Sequence, residues 1–168
     1  MQPFIVTPSP IQNGLHGGLP AFITPKDSTA LAPLTAWLQA NPDWVTQTLH
    51  QHGALHVRGF DVMGVDDVEL VARAIVPDLQ NQYMGTSPRT ALSKSGYVFS
   101  ASELPGFYPL PAHCEMSFTA QPPKRIIFSC TVQPHPYGET PLVDFRAVYR
   151  DLPPDMVARW VQKGVKII

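Results

Sequence analysis

An α+β domain made of short strands and short helices joined by long loops is what this sequence predicts. Three observations carry that reading. Hydrophobic residues make up 44% of 168, enough for a real core in one domain. Helical and alternating apolar patterns follow one another along the first half. Nineteen prolines are scattered rather than clustered, and each removes a backbone donor, which limits the length of helices and central strands.

In chain order, Ala21 to Ile23 within LPAFITP read as a short strand bounded by prolines. Leu31, Leu34 and Leu38, then Trp44, Val45, Thr48 and Leu49, recur at helical spacing with a break at Asn41-Pro42. Two helices follow from this, the second capped by Asn41 and ended by Gly53. In ALHVRGF, Leu55 and Val57 alternate with His56 and Arg58, a half-buried strand. VDDVELVARAIVPDL is an amphipathic helix with acids in its first turn, stopped before Pro77. Asn81 to Gly96 lack periodicity and read as a long loop, a place where function concentrates. Strand-like YVFSA, RIIFSCTV and PLVDF follow, with a turn at HPYGET. A helix runs from Pro154 to about Lys163, and VKII after Gly164 looks like the start of a strand. No repeat or composition shift divides residues 1–168, which are read as a single domain. The strand begun by VKII has no evident partner, so the chain is expected to be the front part of a longer domain, with unpaired strand edges that favour self-association.

Composition narrows the partners. A formal net charge of −1 and no Lys/Arg cluster leave no electrostatic footprint for nucleic acid or anionic lipid. The N-terminus lacks a basic segment followed by a long apolar one, and no stretch approaches the length of a membrane span. A soluble, cytoplasmic protein acting on a small molecule is expected. Cys114 and Cys130 are too few for a disulfide framework and suit a reducing compartment.

The chemistry concentrates in PAHCEMSF, Pro111 to Phe118. In an extended segment residues i and i+2 share a face, so His113 and Glu115 project together while Cys114 points away. An imidazole and a carboxylate so placed can grip a divalent iron, manganese or zinc ion, with a third ligand from elsewhere. On the His-x-Glu spacing alone, a surface His–Glu contact in a loop is the simpler account. Arg89, in SPRT of the long loop, could bind a substrate carboxylate bidentately or be merely solvated. His16 lies in a terminal segment and His50, His52 and His56 surround a helix end and a strand, where no ligand role is needed. Met116 and Phe118 read as wall-filling residues, and Trp37, Trp44 and Trp160 as core anchors.

Taken together and in order, PAHCEMSF, PKRIIFSCTVQP and YGETPLVDFR resemble the taurine-dioxygenase-like branch of the Fe(II)- and 2-oxoglutarate-dependent oxygenases. The upstream pieces HVRGFDV and TSPRTALSKSGYVFSASELP are similar to its N-terminal half, so the resemblance runs from about Pro20 onward. It implies a mainly-β double-stranded beta-helix, a jelly roll with flanking helices, here apparently incomplete at its C-terminal side. By resemblance, His113 and Glu115 are two of the three metal ligands of a 2-His-1-carboxylate triad, Fe(II) is the metal, and Thr140 helps bind the co-substrate 2-oxoglutarate. Dioxygen is the other partner implied. The implied reaction is decarboxylation of 2-oxoglutarate to succinate coupled to hydroxylation of a small amino-acid-like or carboxylate-bearing molecule, free or tethered to a carrier protein. Glu115 stands where many relatives have Asp, as in clavaminate-synthase-like members, and a carboxylate there argues against the halogenating relatives. Tyr137 replaces a glycine common in the turn before Glu139. The family's distal histidine and its 2-oxoglutarate arginine belong to the C-terminal half of its domain and have no counterpart here, and His135, in the turn before Gly138, does not match that histidine. Two further readings stand beside the oxygenase: a truncated, noncatalytic jelly-roll fragment, and a cupin-like zinc or manganese binder without oxidative chemistry.

Overall fold

Central to the sheet is Ala21–Pro25, whose alternate residues Ala21 and Ile23 are fully buried. The computed structural model describes residues 1–10, 18–83, 85, 87–101, 103–133, 135 and 138–166; His16, Tyr137 and the last two residues of VKII lie outside them. The strand Phe4–Pro8 (β1) pairs antiparallel with Ala21–Pro25 (β2), from Phe4 opposite Pro25 to Pro8 opposite Ala21. Leu55–Val57 (β3) pairs parallel with β2 on its other side, giving the order β1-β2-β3. β1 is an element the sequence reading missed. Its signal was present in FIVTP, where Phe4 is buried and Ile5 half exposed.

The parallel β2–β3 pairing requires a crossover, and two helices supply it. Leu31–Ala40 (α1) buries Leu31, Leu34 and Leu38 on one stripe. Pro42–His52 (α2) starts on a proline, whose missing N–H is no loss in a first turn, and buries Val45 and Thr48. Asn41 does not cap α2 through its side chain as expected. Its amide donates instead to the Trp37 carbonyl at 2.7 Å, closing α1. Gly53 ends α2 at φ 78°, a left-handed position that favours glycine, and its N–H reaches the Leu49 carbonyl at 2.7 Å. Val65–Ile75 (α3) packs on α1 with Ala72 and Ala74 buried, small side chains that allow close approach. It stops where Pro77 pushes Val76 out of helical geometry.

These elements enclose one core of Phe4, Ile23, Leu31, Leu34, Leu38, Val45 and Ala74. Trp37 and Trp44 flank it as expected; the Trp37 ring meets Phe4 edge-on at 4.9 Å and Trp44 at 5.0 Å.

Beyond Ile75 the architecture departs from expectation. Among the described residues there are five helices and one three-stranded sheet, so a mainly-β jelly roll is not what they display. Arg125–Val132 form no strand, and Ile126 and Phe128 are 46% and 61% exposed. A strand needs a neighbour for its backbone groups, and β-propensity without one does not hold a segment extended. YVFSA makes a single antiparallel bridge, Phe99 with Ala91. The expected strand PLVDF does not form: residues 141–144 are irregular, and Phe145 opens a helix, Phe145–Asp151 (α4). Asp144 caps it, its carboxylate accepting from the Arg146 N–H at 3.0 Å and from Arg146 Nε at 2.9 Å. Pro154–Lys163 (α5) runs over the residues expected, ending at Gly164. Trp160 on it is 46% exposed and not the core anchor the sequence suggested, and Phe118, expected to fill a wall, is 47% exposed. Cys114 and Cys130 are free and exposed.

Two arginines strap this half to the first. Arg125 donates to the Ile75 carbonyl at 3.1 Å and to Thr46 Oγ1 at 2.7 Å. Arg146 donates to the His50 carbonyl at the end of α2. No helix among the described residues is long and apolar enough to cross a membrane.

Candidate functional site

A looped-back segment carries the first part of the site. Thr90 and Ser100 face each other, the Ser100 N–H donating to the Thr90 carbonyl at 2.8 Å and the Leu92 N–H to the Val98 carbonyl at 2.8 Å. The Thr90 N–H also donates to Ser100 Oγ at 2.8 Å and to Glu103 at 3.0 Å. Hydrogen bonds from Ser100 and then Thr90 hold the Glu103 carboxyl below its ordinary value. The tip is fastened to α3. Ser95 donates to Glu69, Glu69 pairs with Arg73 at 2.8 Å, and the Arg73 guanidinium sits 4.1 Å from the Tyr97 ring centre. The Ser95 hydrogen bond, followed by that from Arg73, lowers the Glu69 pKa. Arg89 leads directly into this braced loop.

The second part is Pro111 to Phe118. Residues 111–114 have no regular secondary structure, and a turn begins at Glu115, with Met116 in the left-handed region at φ 52°. His113 and Glu115 share a side, as the i, i+2 argument requires, with His113 Nε2 3.7 Å from Glu115 Oε2. His113 Nδ1 lies 2.8 Å from the Pro111 carbonyl oxygen. A carbonyl can only accept, so Nδ1 donates to it and Nε2 is the ring nitrogen turned toward Glu115. An imidazole nitrogen and a carboxylate oxygen therefore converge on one site. That donor set suits a divalent cation such as Fe(II), Mn(II) or Zn(II).

Arg89 reaches the other oxygen of the same carboxylate, with Nη2 3.6 Å from Glu115 Oε1. Its guanidinium lies 4.5 Å from the centre of the Tyr83 ring. Both side chains of the ion pair are largely buried, 16% exposed for Arg89 and 17% for Glu115. His113 is more open, its side chain 47% exposed. Arg89 thus belongs to the motif and is not merely a solvated loop residue. Tyr83 was missed; an aromatic six residues before an arginine, in a loop without periodicity, was the signal available.

Other candidates are not drawn in. Thr140 is exposed in the irregular segment before α4, and no hydrogen bond among the described residues joins it to His113 or Glu115. His52 is buried at the end of α2, with Nδ1 3.2 Å from the Gly18 carbonyl oxygen, a structural position as expected. Among the described residues no group of three or more His, Cys, Asp and Glu side chains is assembled for a metal ion.

Comparison with known proteins bears on the same residues. Residues 20–167 match the family described as taurine catabolism dioxygenase TauD, TfdA family. A clavaminate synthase-like protein of Arabidopsis thaliana is 31% identical over 171 residues, an alignment covering 96% of this chain and 51% of the relative. The chain spans about half the length of the curated relative it matches. With most of its length matched in one block that contains the Arg89, His113 and Glu115 segments, the chain belongs to the TauD/TfdA family.

Proposed function

We propose that this chain carries part of the active site of a non-haem Fe(II)- and 2-oxoglutarate-dependent oxygenase, with His113 and Glu115 as two of its metal ligands. The observation that carries the proposal is the convergence of His113 Nε2 and Glu115 Oε2 at 3.7 Å, with Nδ1 engaged by the Pro111 carbonyl. That carbonyl fixes the tautomer and ring orientation, a common arrangement around metal-bound histidines. When bound, the iron and 2-oxoglutarate supply the oxidising chemistry that hydroxylates a C–H bond of a small carboxylate-bearing substrate. The protein's part is to hold two donors on one side of the Pro111–Phe118 segment and to set Arg89 beside them. Thr140 is assigned to the co-substrate carboxylate on family resemblance, and residues 1–168 are read as portions of one domain.

Anaerobic titration with Fe(II) and 2-oxoglutarate tests the reading. A weak visible charge-transfer band that disappears in His113→Ala and in Glu115→Ala is the expected result. No band with the intact chain at millimolar ligand concentrations would remove the metal assignment.

A noncatalytic fragment is the second reading. The absence of a third His, Cys, Asp or Glu beside the pair, among the described residues, favours it. Two side chains leave iron weakly held, so this reading expects no succinate from 2-oxoglutarate and iron with this chain by itself. Succinate formed at a rate above free iron, and lost in His113→Ala, would exclude it.

A further inference from the structure

We propose that Arg89 is the anion-recognition residue of this site, held on Glu115 while no cation is bound and released to a small carboxylate ligand when a divalent cation takes Glu115. The proposal rests on the metal reading above and extends it to the order of binding. The contact itself is incomplete. A guanidinium and a carboxylate in full register form two parallel hydrogen bonds of about 2.7–2.9 Å. Here the closest approach is 3.6 Å through Nη2 alone. Arg89 Nε, buried from solvent, has no hydrogen-bond partner among the described residues. One edge of the fork is therefore shielded from water and unspent.

The arginine is nonetheless well placed. Tyr83 supports the guanidinium at 4.5 Å, and the segment that follows it is fastened to α3 through Ser95 and Glu69. Arg89 is pre-positioned by neighbours other than Glu115. Glu115 is a single negative charge facing two sides, Oε1 toward Arg89 and Oε2 toward His113. A dication seated at Oε2 and His113 Nε2 would draw that charge and repel the guanidinium. Arg89 then needs a new counter-charge, planar and able to accept two N–H bonds beside a cation. A carboxylate has that shape. The coupling is reciprocal: the cation raises anion affinity, and the anion raises cation affinity by the same factor.

Mn(II) serves as the probe, with the loss of its free-ion EPR signal measured on the full 168-residue chain. Arg89→Ala is expected to bind Mn(II) about fivefold tighter or more, at the lower end of coupling between sites. Acetate should tighten Mn(II) binding in the native chain and not in Arg89→Ala. Arg89→Lys, which keeps the charge and loses the fork, should retain native Mn(II) affinity but lose most of the acetate effect. 2-Oxoglutarate can chelate the ion directly, so its enhancement should persist in Arg89→Ala, separating co-substrate binding from recognition of a second carboxylate. Unchanged or weaker Mn(II) binding in Arg89→Ala, or an acetate effect that survives it, overturns the proposal. Failure of every protein, Arg89→Ala included, to bind Mn(II) overturns the metal reading and this inference with it.

Discussion

The halves of the chain on either side of Ile75 use apolar side chains in opposite ways. Among the described residues, every buried hydrophobic residue, from Phe4 to Ala74, lies before that point. Phe107, Phe128, Leu142 and Val161, after it, are all more than half exposed. The first half is secured by a shared interior, and the second is tied back to it by hydrogen bonds and a cation–π contact. The difference teaches where precision comes from in the candidate site. His113 and Glu115 hold their relation through a two-residue spacing, one carbonyl and the Arg89 ion pair, none of which belongs to the core of the first half.

Deletion of core volume should separate the halves most clearly. Leu34 is fully buried between β2 and the helices, and Leu34→Ala is expected to destabilise the chain by about 2–5 kcal/mol in urea melts. Phe128→Ala, at a residue 61% exposed, should stay within about 0.5 kcal/mol. An equal loss from Phe128 would show that the second half has an interior of its own.

Smaller effects are expected where the halves are joined. At Gly53 a Cβ would meet Leu19 Cδ1 and Arg146 Nη2, both at 3.1 Å, in a left-handed backbone conformation. Gly53→Ala should therefore cost about 1–2 kcal/mol, read as a shift in the urea midpoint. Asp144→Ala removes the α4 cap and should cost about 1 kcal/mol. The loss should appear in the second half and leave the near-ultraviolet signal of Trp37 and Trp44 unchanged.

The smallest effect is on acidification. The Arg146 guanidinium holds the Asp144 carboxyl below the ordinary aspartate value. A lowered folded-state pKa means the pairing contributes fully above about pH 4 and is lost as pH falls through the lower folded value. The native chain should therefore lose a small increment of stability below about pH 4 that Asp144→Asn does not show in a pH series of melts.

How far the sequence could be read follows the same division. Leu31, Leu34 and Leu38 announce α1 because helical periodicity and burial coincide there. The stop before Pro77 and the end at Gly53 were legible because they are steric facts of single residues. RIIFSCTV misled because a strand's existence depends on a partner that the segment itself cannot specify. PLVDF misled in the same way, since residues 141–144 pair with no strand and Asp144 serves as the cap that opens α4 at Phe145. At the site, the side shared by His113 and Glu115 was legible from spacing alone. The engagement of Arg89 with Glu115 and Tyr83 was not, since it joins residues far apart in the chain.

Arg125 and Arg146 bridge the halves through backbone carbonyls and one hydroxyl, not through buried apolar area. Such fastenings can open without melting what they are fastened to, which gives the molecule two tiers of opening. Amides of β2 and α1 should exchange hydrogen only on global unfolding, whereas those of α4 and α5 should exchange by a cheaper route. Ligands that engage the second half would then register as slowed exchange there, long before any rise in the melting temperature of the whole.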